Sequence, residues 1–396
     1  MVSPDDKRTL LAVCMSTRRL VHAFASSVSL QEDDTLQHLL DTAAGPCLQL
    51  LELHGIRLTV TAVPRLTGAP WSGLLCSLTL DNCGLNRATV GQLAAANWPM
   101  LQHLSLRNNK LGKTAIKAMA GGKWPHLAHL DFSSNKLNAD AITQLTRFGW
   151  MYRLSGLEVH DNPEMDVNAV RILGRGVWPH LKGLGISGGF ELREFVPLAA
   201  AAWPHLESLC LECNYCPPLY VSFAGFWQNL QNLQLRTHEP SRHGNLPLPA
   251  RLGLLHADWR NLQSLSLSYS HLCGRGFFEL AYGDWPLLRS LDASHLWLTE
   301  DAHDFLPEDY AGFAMGYWPQ LTHLCLSHNG VNSECAAKLI RADWPKLQTL
   351  DLSYNDIGAT GSESLAQGDW PAMEHLCLHG NKPESLCQYC ILQDRF

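Results

Sequence analysis

The most regular feature of this chain is a short apolar cadence, L-x-x-L-x-L, that returns along most of its length. Residues 344–357, WPKLQTLDLSYNDI, and 98–111, WPMLQHLSLRNNKL, carry it in full. In L-x-L the two leucines lie on one side of an extended chain, because strand side chains alternate. Each copy therefore predicts a short strand with one apolar face. After a turn, apolar residues recur at helical spacing, as in Val90 and Leu93 or Ala141 and Leu145. Asn86, Asn138 and Asn332 precede such stretches and suit helix N-caps. A Trp-Pro pair then closes most units, since proline stops the helix and turns the preceding residue extended.

Tryptophan sets the period. Trp71, Trp98, Trp124, Trp150, Trp178, Trp203, Trp227, Trp259, Trp285, Trp318, Trp344 and Trp370 are spaced by 27, 26, 26, 28, 25, 24, 32, 26, 33, 26 and 26 residues. Twelve of the thirteen tryptophans thus mark one position; Trp297 stands outside, and Gly45 holds the place without a ring. A fixed period of this size signals a solenoid, in which coils stack because one strand cannot bury its leucine face alone. The length, 396 residues, would otherwise suggest two or three domains. The Trp column is expected to be a buried spine where helix returns to strand.

The L-x-x-L-x-L core resembles the leucine-rich-repeat family over roughly residues 45–383, thirteen times, and is similar to its ribonuclease-inhibitor-like or cysteine-containing subclasses. The resemblance implies an α/β fold: a leucine-rich-repeat solenoid, or horseshoe, with a parallel sheet on the concave face and helices on the convex face. It also implies a buried ladder of Asn109, Asn135, Asn162, Asn214, Asn329, Asn355 and Asn381, with Cys83 substituting in one copy. Residues 1–44 are expected to form an N-terminal helical cap with a degenerate first repeat at Ala25, Val28 and Leu30, and residues 384–396 a short C-terminal cap. Residues 5–30 resemble the latter half of an F-box, which implies contact with a ubiquitin-ligase adaptor.

Composition narrows the function. The net charge of −7 and the 46% hydrophobic content argue against disorder and against a nucleic-acid or anionic-membrane binder. The N-terminus reads as neither secretory signal nor transit peptide, and no apolar run has the length of a membrane span. Thirteen scattered cysteines read as reduced thiols of a cytoplasmic or nuclear protein.

With the leucines inward, the residues between and after them are expected to face the concave side. Across both columns acids number seven (Glu52, Asp81, Asp131, Glu158, Glu212, Asp292, Asp351) and bases two (Arg107, Arg236). An acidic face suits a basic or neutral protein surface and repels phosphate. The residues expected to touch a partner there are Asp81, His103, Arg107, His129, Asp131, Glu158, His160, Glu212, Arg236, Asp292, His323, Asp351, Tyr354 and His375. His328 and His379 add to the imidazoles near the C-terminal end.

No metal or other cofactor is expected: Cys325 and Cys377 lie two strands, about 9–10 Å, apart, and zinc–thiolate bonds are roughly 2.3 Å. Cys210, Cys213 and Cys216 fall on the repeat register as core fillers, with no second C-x-x-C at finger spacing. The two long copies insert RTHEPSRHGNLPLPARLGLLHADW and LTEDAHDFLPEDYAGFAMGYW. In the second, Phe305, Tyr310 and Phe313 either anchor a partner or pack back on the solenoid. Together these features predict a protein-interaction scaffold without catalysis of its own, a monomer or a subunit of a complex. The alternatives are a substrate-recognition subunit of a cullin-type ubiquitin ligase, a GTPase activator, or a structural subunit of a large assembly.

Overall fold

The computed structural model describes residues 27–41, 48–189, 192–199, 201, 203–213, 221–222, 227–237, 252–253, 259–270, 277–278, 280–296 and 307–381. The chain divides into two compact units, Met1–Leu181 and Lys182–Phe396. In the first, strands β1 (Ser27–Leu30), β2 (Leu50–His54), β3 (Ser77–Asp81), β4 (His103–Ser105), β5 (His129–Asp131) and β6 (Gly156–Val159) pair in sequence order, all parallel. The register sets leucine on leucine: Leu51 on Leu78, Leu78 on Leu104, Leu104 on Leu130 and Leu130 on Leu157. Between them run helices α1 (Asp33–Asp41), α2 (Ala62–Thr67), α3 (Arg87–Ala95), α4 (Lys113–Ala118), α5 (Ala139–Leu145) and α6 (Val167–Arg175). Each of α2–α5 packs on the next. Asn86 closes a full capping box with Thr89, and Asn138 and Asp166 accept from the third helical N–H.

The second unit repeats the scheme with β7 (Gly183–Ser187), β8 (Ser208–Cys213), β10 (Asn232–Thr237), β12 (Ser264–Ser266), β13 (Ser290–Asp292), β14 (His323–Cys325), β15 (Thr349–Asp351) and β16 (His375–Cys377), parallel throughout. Its return segments include α7 (Val196–Ala199), α8 (Pro307–Phe313), α9 (Ser333–Leu339) and α10 (Ala359–Leu365). Two returns differ from the helical expectation: β9 (Val221–Ser222) and β11 (Leu252–Gly253) form a separate parallel pair. Prolines 217, 218, 247 and 249 stand just before them, and proline removes the N–H and the space a helix needs. This succession of parallel strands with helices on the return is the α/β leucine-rich-repeat solenoid that the cadence implies.

Two columns hold coil to coil. All twelve tryptophans in the repeat position are buried, and Trp71, Trp259, Trp285, Trp318 and Trp344 have no exposed surface. Trp285, Trp318 and Trp344 stack in succession, with centroids 6.5 and 6.1 Å apart and planes within 19°. The Trp carbonyl accepts from the Leu N–H three residues on, as from Leu347 to Trp344 at 3.1 Å, which forms the turn into the strand. Glycine two residues earlier makes room for the ring. A Cβ on Gly316 or Gly368 would stand 2.7 or 2.8 Å from the indole of Trp318 or Trp370, closer than carbon packing allows.

The second column is the asparagines. Asn135 Oδ1 accepts from the backbone N–H of Asn109 and Leu111 in the preceding coil at 3.0 and 2.9 Å. Its Nδ2 donates to Leu106 O there and to Phe132 O and Ser133 O in its own coil. Asn109, Asn162, Asn329, Asn355 and Asn381 likewise join their own coil to the one before. Asn214 lies outside the described residues. Cys83 takes the position with a thiol donating to Leu53 O, and burial pushes that thiol up to about 12. Residues 1–26 and 382–396, with the F-box resemblance and the C-terminal cap, also lie outside the described residues.

Replacing Asn135 by Ala strips two buried N–H and three buried C=O groups of one partner. It should cost about 2–6 kcal/mol, since the three carbonyls keep another donor and each of the two orphaned N–H groups carries a penalty of roughly 1–3 kcal/mol. Trp344→Ala should cost about 3–5 kcal/mol. Urea unfolding followed by circular dichroism checks both, and a loss under 1 kcal/mol in either would contradict the role given to that column.

Candidate functional site

The strands leave one row of side chains out of the core, and it reads differently in the two units. In the first, imidazoles and carboxylates interleave. His54 lies 3.9 Å from Glu52 and 3.8 Å from Asp81, and Ser105 Oγ donates to Asp81 at 2.5 Å. Glu158 and His160 meet at 3.0 Å, and Arg107 faces Asp161 at 3.9 Å. His103 and His129 stack with ring centroids 4.5 Å apart and planes 3° from parallel. Gly156 opens the space: a Cβ there would stand 2.3 Å from His129 Nδ1. Burial, and then the neighbouring His103, hold the His129 imidazole below its ordinary value.

In the second unit Arg236 and Glu212 face each other at 3.7 Å. Asp292 accepts from Ser266 Oγ of the coil before and from both N and Oγ of Ser294. Asp351 accepts from Ser353 N at 2.9 Å and from the Cys325 thiol at 3.7 Å. Asp131 does the same for Ser133 N. An Asp–x–Ser sequence at the strand end thus places one carboxylate oxygen on the backbone as the chain leaves the sheet. His323 pairs through Nδ1 with Thr322 Oγ1, and His323 and His375 are exposed.

Two expectations are corrected by burial. The residues after the last leucine were to face outward, yet Ser133, Ser187, Ser268, Ser294, Ser327 and Ser353 are buried; where paired, they bond to the residue two places earlier. Tyr310 and Phe313, offered as partner anchors, have no exposed surface. Phe313 stacks on Phe277 at 4.1 Å and meets Trp318 and Trp344, and Tyr310 packs on Phe277 at 5.0 Å. Burial drives the Tyr310 phenol well above its ordinary value. Both fill the core beneath α8, so packing back on the solenoid wins over the anchor reading. Phe305 and Trp297 lie outside the described residues. The other residues expected on the partner face are exposed or half-buried.

One constellation was missed. The residue two places past the second inward strand residue has positive φ in coil after coil: Gly55, Asn82, Asn108, Ser134 and Asp161 in the first unit, and Tyr269, His295, His328, Tyr354 and Gly380 in the second. In the second unit four of these side chains are rings, and they stack: Tyr269 on His295 at 4.3 Å, His295 on His328 at 4.0 Å, and His328 on Tyr354 at 4.4 Å. His379 meets Tyr354 edge-on at 4.9 Å. Burial, then the neighbouring His328, lower the His295 imidazole, and Asp292 opposes them. Aligning the repeats puts these residues in one column, so the signal was present in the sequence.

Comparison with known proteins agrees with the architecture. The model of the Leucine Rich repeat matches residues 99–120 and 345–366. The fold is similar to yeast Rad7, solved as a complex with Elc1, at 17% identity and TM-score 0.53, covering 88% of this chain and 83% of that one. LegL7 from Legionella pneumophila, a leucine-rich repeat-containing protein, aligns at 16% identity and TM-score 0.46 over 81% of this chain and 99% of that one. No curated protein sequence matches. The chain contains leucine-rich repeats, matched in these two places, and shares a solenoid fold with the solved Rad7 complex. Among the described residues, no helix is long and apolar enough to cross a membrane.

The two depressed imidazoles set a pH dependence. An unfolded histidine takes its proton near pH 6.5, whereas folded His129 and His295 hold out to lower pH. The unfolded chain then binds more protons, so stability is full above about 6.5 and falls as pH drops through that value. Urea midpoints across this range should show the decline, and His295→Asn should flatten it. A midpoint that rises on acidification would contradict the assignment.

Proposed function

We propose that the chain is a non-catalytic protein-interaction scaffold, and that its sheet side takes a partner of basic or neutral surface. Half-buried carboxylates at strand ends carry the reading in each unit: Asp81, Asp131 and Glu158 in the first, and Glu212, Asp292 and Asp351 in the second. Asp131, Asp292 and Asp351 are fixed by their own backbone, so they present charge without losing side-chain freedom on binding. Phosphate would meet like charge there, which disfavours nucleic acid. Thirteen scattered cysteines fit a reducing cytoplasmic or nuclear setting.

A second reading, a stable subunit of a larger assembly, draws on Rad7 having been solved in complex with another protein, Elc1. It uses the same side of the sheet and differs in stoichiometry. The ubiquitin-ligase and GTPase-activator readings would instead require an adaptor bound through residues 1–44 or faster GTP hydrolysis by a small GTPase.

Carboxyl-to-amine cross-linking of the full chain with proteins captured from cell extract, read by mass spectrometry, tests the face. Links to partner lysines are expected at Asp81, Glu158, Asp292 and Asp351. Links confined to helix-side acids such as Asp140 and Glu363 would overturn the choice of face. A partner at fixed ratio through purification would favour the assembly reading.

A further inference from the structure

Four rings in a left-handed backbone position need a reason. That region suits glycine and asparagine and is unusual for tyrosine. The first unit fills the same column with Gly55, Asn82, Asn108, Ser134 and Asp161, whereas the second places Tyr269, His295, His328 and Tyr354 there. An outlier of this kind, repeated over successive coils, points to the side chains rather than to the turn. Gly380 continues the column by yielding space: a Cβ on it would stand 2.5 Å from the Tyr354 ring.

The rings spend their faces on one another, with planes within 16° from Tyr269 to Tyr354. Yet Tyr269 is 40% and Tyr354 52% exposed. The accessible surface is therefore largely rim, where phenol oxygens and imidazole nitrogens sit. Flat nucleobases find no open face between the rings, which removes the usual route to single-stranded nucleic acid.

The strands and turns that carry the ladder hold charge of one sign. The strand and turn segments 264–270, 290–296, 323–331, 349–357 and 375–381 contain no Lys or Arg and three aspartates, Asp292, Asp351 and Asp356. Their counterparts in the first unit carry Arg57, Arg107, Lys110 and Lys136. The carboxylates only accept hydrogen bonds, phenol oxygens and neutral imidazoles can each turn a lone pair outward, and the strip holds no cationic side chain of its own. Its complement is a cation with many N–H groups. Guanidinium spreads five donors in a plane and is weakly hydrated, so it matches a row of acceptors better than a compact ammonium does. Rings locked by stacking lose little freedom when a partner arrives, the property that makes tyrosine effective at interfaces.

We propose that the Tyr269–His295–His328–Tyr354 ladder, with the carboxylates beside it, docks an arginine-bearing segment of a protein partner. This rests on the sheet-side reading above and sharpens it to one strip and one partner chemistry. Protonation of His295 would remove an acceptor and add like charge, so the segment is released on acidification. The groups facing the two imidazoles are Tyr269, Asp292 and Tyr354, and each other.

The test uses the full chain and fluorescence polarisation with three labelled hexapeptides, alternating glycine with arginine, lysine or glutamate. The comparison protein carries Tyr269→Asn, His295→Asn, His328→Asn and Tyr354→Asn together. It leaves the formal charge unchanged and places a residue that accepts the left-handed backbone at each position, so it is expected to fold with an unchanged circular dichroism spectrum. The arginine peptide should bind the native chain most tightly and lose about tenfold in affinity on the variant, a change of about 1.4 kcal/mol. Its affinity should also fall as pH drops below about 6.5. Equal affinity for native and variant chains, or preference for the glutamate peptide, would overturn the ladder assignment and leave the sheet-side cross-links as they were. Absence of those links with the arginine peptide still ladder-dependent would overturn the broader reading instead.

Discussion

Each coil leaves the sheet through a turn whose backbone groups point into the core, where water cannot reach them. The asparagine amide resolves this by serving two coils at once. Its oxygen takes N–H groups of the coil before, and its nitrogen gives to carbonyls of both coils. A buried amide with every valence used is hard to replace, because any apolar substitute orphans backbone N–H groups of the coil before. The leucine rows and the tryptophan spine add apolar burial, which is tolerant of shape. The amide column is not tolerant, and it fixes the spacing at which everything on the outer row is presented.

That spacing has consequences for the chemistry of the sheet side. Side chains in equivalent positions of successive coils are brought within stacking distance, so a residue type repeated at one position becomes a continuous feature. Carboxylates in the Asp–x–Ser position become a row of backbone-anchored charges. Rings in the left-handed position become a ladder. Neither feature exists within a single coil, and both follow from stacking alone.

Much of the fold was legible in the sequence because the period is strict and its residues are chemically irreplaceable: Trp before Pro, Leu in L-x-L, Asn at the turn. The helix starts at Asn86, Asn138 and Asn332 were readable for the same reason. Strict alternation failed at Ser294 and Ser353, which are buried because the carboxylate two residues earlier draws them into the turn. For Tyr310 and Phe313, on an inserted segment, the sequence left both anchoring and packing back open, and their bulk fills the core. The ring ladder escaped notice because its residues are ordinary one at a time. Only the backbone conformation, which forbids most side chains, makes four rings in succession unusual.

The distance from spine to amide barely changes along the chain. Trp98 and Asn109, Trp124 and Asn135, Trp318 and Asn329, Trp344 and Asn355, and Trp370 and Asn381 are each eleven residues apart. The units themselves vary in length, so the variation falls between the asparagine and the next tryptophan. Insertions are thereby quarantined on the return path, where a coil can lengthen without disturbing its neighbours. Such a scaffold separates two rates of change: the sheet side can drift only one side chain at a time, while the opposite rim can acquire whole segments in a single event.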